Sequence, residues 1–249
     1  MKSTITITFS EAVENHVHNQ QIGEKLKNGL SCKDIKKLQK EYNKEGFETE
    51  LVDLSHLIND EHEASLLIIR NFISTEEKHK EIYKTLIGLN WDKKVKMRGK
   101  VVNKHARYNL CFSDFSQEPD YEEGKGRVYN FDDKKLKELK KIKEDIYSKI
   151  SKYLGDDVVV NAEGNLYYDT KKCYIGYHGD TERRLVIGLR IGDSFPLSYK
   201  GFQNSEAISD PLCLTLNGGD LYYMSDKAVG WDWHKKIIPT LRHSAGYVQ

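Results

Sequence analysis

No stretch of 18 apolar residues occurs in the 249-residue chain, so no segment has the length and hydropathy of a membrane-spanning helix. The opening MKSTITITFSEAVEN places acids where a secretory leader needs an uninterrupted apolar run, and a soluble, intracellular protein (cytoplasmic or nuclear) is expected. Net charge is nearly absent as well. At +1 it excludes a global electrostatic pull towards nucleic acid or an anionic membrane, and any polyanion contact must come from a local patch. The four cysteines, Cys32, Cys111, Cys173 and Cys213, form no CxxC pair. That argues against a zinc knuckle and against a disulfide framework, and reduced, mostly buried thiols are expected. Nothing in the sequence points to a protein partner.

The length fits one large domain, or one domain with an extension. Residues 1–62 are polar, with a helix expected after Ser31 (CKDIKKLQKEYNKEG) and closed by Gly46. This segment reads as an α-rich N-terminal extension. A main domain is expected over 63–249. SLLIIRNF from Ser65 reads as a short buried strand, and Ser74 with Glu77 forms a capping-box pattern before EEKHKEIYKTLIGL. A second helix follows Asp132 and Asp133, with Leu136, Leu139, Ile142, Ile146 and Ile150 spaced as one apolar stripe and the intervening lysines as its solvated face.

From Val158 onward the chain breaks into short alternating runs: VVVNAEGNLYY, CYIGYHGD, RLVIGLRIG, PLSYKGF, LCLTL, GDLYYM and HKKII. Many short strands at close spacing predict a β-sandwich or barrel, and helices followed by strands predict an α+β arrangement. Within this region His178-Gly179-Asp180 ends one run. Strand side chains alternate with period two, so His178 and Asp180 share a face. An imidazole and a carboxylate, completed by a distant histidine, make the 2-His-1-carboxylate set of non-haem iron(II) oxygenases.

The residues around this pair carry a resemblance. NLYYDTKKCYIGYHGDTER, then GLRIG, GGDLYYMS, WDWH and LRHSAGY follow in the order of the AlkB-type branch of the iron(II)- and 2-oxoglutarate-dependent dioxygenases. The resemblance covers roughly residues 64–249 and is specific around 165–192 and 218–244. It implies a double-stranded β-helix (jelly-roll) core over 158–249 with flanking helices, an oxidoreductase activity, Fe(II) as the metal, and 2-oxoglutarate and O2 as co-substrates. It implies iron ligands His178, Asp180 and His234. It also implies a 2-oxoglutarate site of Asn165, Tyr167 and Arg242, because a guanidinium fork suits a carboxylate.

Two departures stand out. The family's second arginine would fall at Val248, and Arg190, on a neighbouring strand, is an alternative anchor. Thr181 stands where the family often has an acidic, base-reading residue. The third ligand has two candidates. Choosing His234 leaves LRHSAGYV as a closing strand, whereas choosing His243 leaves six residues and turns Arg242 to the opposite side. The closing strand favours His234, with His243 as the alternative.

Between Asp92 and Asp114 the chain has no acid but carries Lys93, Lys94, Lys96, Arg98, Lys100, Lys104 and Arg107, with Tyr108 alongside. This basic 93–107 window is a candidate nucleic-acid contact, or else a solvated hairpin. In AlkB-type enzymes the same region forms a substrate lid, so Thr181, Lys104, Arg107 and Tyr108 are expected substrate neighbours. Trp231 and Trp233 are candidates for the site wall. His16, His18, His56, His62, His79 and His105 are expected at the surface. The expected reaction is oxidation of a methylated or alkylated nucleobase. Hydroxylation of a protein side chain or small molecule is the alternative. A binding module that kept the fold but lost turnover is the alternative of another class.

Overall fold

The three expected helices form, each with identifiable ends, in a computed structural model that describes residues 2–16, 19–58 and 62–247. His18 and Val248 lie outside the described residues. In chain order the first elements are β1 (Thr4–Ser10), β2 (Val13–Glu14), β3 (Gln21–Ile22), α1 (Cys32–Lys44), β4 (Thr49–Asp53), β5 (Ser65–Ile69) and α2 (Glu76–Ile87). A hairpin of β6 (Lys94–Met97) and β7 (Lys100–Asn103) leads to β8 (Tyr108–Ser113), β9 (Val128–Asn130) and α3 (Lys137–Leu154). Strands follow: β10 (Asn161–Tyr167), β11 (Ile175–His178), β12 (Ile187–Gly192), β13 (Phe195–Gln203) and β14 (Glu206–Ala207). The last are β15 (Leu212–Leu216), β16 (Leu221–Met224) and β17 (Thr240–Ala245).

Helix α1 starts with a reciprocal box: the Ser31 hydroxyl accepts from the Asp34 amide and the Asp34 carboxylate accepts from the Ser31 amide. It stops before Gly46, whose φ of +88° is the left-handed conformation that ends helices. Helix α2 is capped by Thr75, whose hydroxyl accepts from the Lys78 amide, one residue after the expected Ser74. Asp133 caps a short 3-10 turn before α3, and Leu139, Ile142, Ile146 and Ile150 are buried as their spacing requires. No helix of the described residues is long and apolar enough to cross a membrane.

The architecture is α+β, dominated by two sheets. The larger runs β4-β5-β16-β12-β1-β10-β8-β9, and the smaller runs β11-β17-β13-β14 with β15 also paired to β13. Strand β1 corrects the expected division at residue 62. TITITFS pairs with β10 on one side and β12 on the other, at the middle of the large sheet. With β4 also in that sheet, residues 1–62 are not an α-rich extension but part of the central scaffold. The physical reason is in the alternation itself. Ile5, Ile7 and Phe9 point to one face, and Thr4, Thr6 and Thr8 to the other. A second correction concerns HKKII, expected as a strand. Residues 231–239 run as turns, and Ile237 is 87% exposed.

The two faces of the large sheet have opposite characters. Ile5, Ile7, Phe9, Ala162, Leu166, Leu189 and Leu110 face α1, α2 and α3 and form the main core with Ile35, Leu38, Ile82, Leu86, Ile142 and Ile146. The opposite face carries a polar row in strict register across four strands: Arg190, Thr6, Asn165 and Asn109. A second core, with Leu66, Ile68, Met224, Leu197, Tyr199 and Leu241, joins this face to the small sheet. The helices therefore seal one side of the large sheet and leave the other for a site.

Candidate metal centre and its pocket

His178 ends β11 and pairs in register with His243 of β17, which places their rings 4.5 Å apart. Asp180 follows two residues later, held where its amide donates to the Val229 carbonyl at 3.1 Å. Gly179 makes this approach possible, since a Cβ there would lie 2.0 Å from the Gly230 carbonyl oxygen. His178 Nε2 sits 3.5 Å from Asp180 Oδ1, and His243 Nε2 sits 3.8 Å from Asp180 Oδ2. One ligand atom of each residue lies within 4.8 Å of the others, a metal-holding constellation of two imidazoles and one carboxylate.

The protonation states suit a metal. A carbonyl only accepts, so the 2.8 Å contact from His178 Nδ1 to Gly176 O puts a proton on Nδ1 and turns Nε2 towards Asp180. His243 is held well below its ordinary pKa, by burial first and then by His178 and Arg183, so it is neutral with a free lone pair. Arg183 sits buried beneath Asp180. Burial opposes its charge, but Glu182, Asp180 and Glu163 outweigh it and raise the pKa well above the usual value. It bonds Glu163 at 2.8 Å and Glu182 at 2.5 Å and lies 3.9 Å from Asp180, which fixes the carboxylate from below.

His243 therefore takes the third place, and the expectation of His234 is corrected. His234 is exposed, lies outside the cluster, and stacks on Trp233 with centroids 4.0 Å apart. The closing-strand argument failed because the strands that complete the large sheet come from the N-terminal half, β1 above all. Arg242 is corrected with it. As the neighbour of His243 on β17 it faces the other way, its guanidinium 4.1 Å from the Phe202 ring and 5.1 Å from the Trp233 ring. Tyr108 is a third correction. It lies opposite Leu166, packs towards the main core, and stacks on Tyr168 at 4.7 Å.

The remaining expected residues meet in one cavity of about 830 Å³ between the sheets. Asn165, Tyr167 and Arg190 line its large-sheet wall, Lys104 and Arg107 its side, and Thr181, Trp233 and His234 its rim. Trp231 is not among the lining residues. It is covered by Arg184 at 4.0 Å and Lys235 at 4.8 Å. Val95, Met97 and Asn103 of the β6–β7 hairpin reach the cavity, so the basic window forms its overhang. Lys104 donates to Asn15 and Asn109 at 3.0 Å each, and burial, partly offset by Asp92, lowers its pKa to about 8.

Arg190 is the strongest feature of this wall. It is 1% exposed, its Nη1 donates to Thr6 Oγ1 at 2.5 Å, and its Nε has no partner. Among the described residues it forms no ion pair. A buried guanidinium without an ion pair is costly. Tyr222 fills the space above Gly188, where a Cβ would come 2.0 Å from the tyrosine ring. Sequence reasoning missed Thr6, Asn109, Glu163, Tyr222 and Glu14 as pocket residues. For Thr6 the signal was present in the TITITF alternation, whereas the others needed the sheet order.

No family model matches the chain. "Uncharacterized protein R156" of Acanthamoeba polyphaga mimivirus is 45% identical over 251 residues, which cover 99% of this chain and 96% of that protein. The match spans nearly the whole of both chains, and the chain belongs to the same family as this viral protein.

Proposed function

We propose that the protein is an Fe(II)- and 2-oxoglutarate-dependent dioxygenase on an AlkB-like double-stranded β-helix. The observation that carries this reading is the pairing of His178, Asp180 and His243 with an unneutralised, buried Arg190 in the same cavity. The donor set fits Fe(II), because two imidazoles and one carboxylate on one side leave the other positions open. When bound, Fe(II) with 2-oxoglutarate and O2 supplies the oxidation: one oxygen atom enters a substrate C–H bond and the other enters succinate, with release of CO2.

The residues of the chain do the rest. Arg190 anchors the distal carboxylate of 2-oxoglutarate, with Thr6 orienting its guanidinium. Asn165 and Tyr167 flank that anchor on β10. Arg183 holds Asp180 in place, and Gly176 sets the tautomer of His178. Trp233 and the hairpin residues Val95 and Met97 wall the cavity and keep water out.

A methylated or alkylated nucleobase is the substrate we favour. Trp233 at the rim offers a stacking face, and the β6–β7 overhang carries lysines outside it. Glu14 and Glu182 in the same cavity favour the second reading, hydroxylation of a protein side chain or small molecule, because they suit a cationic head group.

The test is Fe(II)-dependent formation of succinate from 2-oxoglutarate, measured for wild type and for His178→Ala and Asp180→Ala. Wild type should turn over slowly without substrate and both variants should be inactive. Equal rates in all three would refute the metal assignment. Oligonucleotide affinity at two salt concentrations decides the substrate class. Replacing Lys93, Lys94, Lys96 and Lys100 with Gln should weaken binding and flatten its salt dependence. Wild type with no oligonucleotide affinity at low salt leaves the second reading.

A further inference from the structure

Two guanidiniums, not one, line this wall without an ion pair among the described residues. Arg190 rises from β12. Arg107 comes from the segment that joins the basic hairpin to β8, and its Nε donates to Asn165 Oδ1 at 2.6 Å. Asn165 Oδ1 also accepts from Asn109 at 2.6 Å, and Asn165 lies opposite Thr6, the residue that holds Arg190. Among the described residues neither arginine forms an ion pair. Tyr167, next on the same face of β10, feels both: burial raises its pKa, and Arg107 and Arg190 oppose that rise. Two like charges are thus held near one buried phenol, each with donors left over. Arg107 keeps both terminal nitrogens after its Nε bond, and Arg190 keeps Nε.

We propose that Arg107 is the second half of an anion cradle, so that the distal carboxylate of 2-oxoglutarate bridges Arg190 and Arg107 and ties the stem of the β6–β7 hairpin to the large sheet. This rests on the co-substrate assignment made above. An anion held by both guanidiniums offsets the cost of burying Arg190 without an ion pair. Arg107 follows the second hairpin strand by only four residues, so fixing it restrains the overhang. Co-substrate binding thereby orders the hairpin before substrate arrives.

The experiment uses the full chain with Mn(II) in place of iron. The ligands are N-oxalylglycine, a 2-oxoglutarate analogue, and its distal methyl ester, which keeps the metal-chelating end but lacks the distal charge. Calorimetry gives affinities for wild type, Arg107→Gln and Arg107→Lys. Amide hydrogen exchange of residues 94–103 is followed with and without N-oxalylglycine.

Arg107→Gln should weaken N-oxalylglycine at least tenfold and leave the methyl ester within twofold, and Arg107→Lys should recover part of the loss. Exchange in the hairpin should slow on ligand binding in wild type and not in Arg107→Gln. A residue that merely props Asn165 would weaken both ligands alike, and that result overturns the cradle. Unchanged N-oxalylglycine affinity in Arg107→Gln, or hairpin exchange that ignores the ligand in wild type, overturns it too while leaving the dioxygenase reading intact. Wild type that binds neither ligand overturns both.

Discussion

Replacing His243 with Ala should abolish the stabilisation that a divalent metal confers, and replacing His234 should leave it unchanged. Removing one of three protein ligands costs more than disturbing a ligand's hydrogen-bond partner, which itself lowers affinity by ~10–100-fold. A loss of at least about 100-fold is therefore expected for His243→Ala. At a free metal concentration about 100 times the wild-type Kd, binding stabilises the folded chain by about 2.7 kcal/mol, and a 100-fold weaker site by about 0.4 kcal/mol. For a chain of this size that corresponds to a rise in Tm of roughly 5–11 °C against about 1 °C. Without metal, His243→Ala should do little harm, because His243 Nδ1 is buried without a partner and its removal relieves that cost. The assay is thermal unfolding by circular dichroism with Mn(II) and with EDTA, for wild type and both variants. His234 is exposed and rests on Trp233, so His234→Ala should keep the full metal-dependent shift. A shift lost in His234→Ala and kept in His243→Ala would refute the reasoning and restore the sequence-based ligand.

Arg242→Ala should leave affinity for a 2-oxoglutarate analogue within twofold, because the guanidinium faces Phe202 and Trp233 rather than the cavity, and should lower stability by ~0.5–2 kcal/mol; a tenfold loss of affinity in calorimetry would overturn that placement. Burial, with Glu182, Glu163 and Asp180 adding repulsion and Arg183 offsetting part of it, raises the Glu14 pKa from 4.5 to about 7. A folded-state pKa above the unfolded value means a carboxyl that is harmless when protonated. Its burden is absent below about pH 4.5, grows through the interval and is complete above about pH 7. Glu14→Gln should therefore gain stability relative to wild type as pH rises from 5 to 8, by about 1 kcal/mol once solvent screening of this half-buried group is counted. Denaturant unfolding across that range checks it, and a difference independent of pH would contradict it.

The helices were legible from local signals: the Ser31 and Asp34 box of α1 and the Leu139–Ile150 stripe of α3 need no tertiary information. His178 and Asp180 were legible because a period-two pair survives any sheet arrangement. The third residue of the cluster was not, since its choice depended on how many strands the barrel needs and where they originate. Sequence order suggested that all of them lie after Val158, yet β1, β4, β5 and β8 also build the large sheet. The arginine of the cavity wall hid for a related reason. Arg190 and Arg242 are equally good arginines on equally good strands, and only the register, Arg190 opposite Thr6 and Arg242 opposite Lys200, says which one faces the cavity. HKKII misled by composition, because it has strand-like residues but meets the end of β13 only through isolated bonds, Asn204 N to Lys236 O and Gln203 Nε2 to Ile237 O.

The position of β1 bears on how the chain reaches this state during synthesis. TITITFS pairs only with β10 and β12, strands about 150–190 residues later in the chain. At ~5–20 residues per second the ribosome takes roughly 10–40 s to deliver residue 192 after residue 10 has been made. Throughout that interval a segment of alternating Ile and Thr, strongly β-prone and uncharged, has both hydrogen-bonding edges open. The nascent chain is thus exposed to strand-on-strand association between neighbours on one messenger until the C-terminal half emerges. A chaperone that covers this segment would raise the yield of folded protein without affecting the stability of the finished molecule.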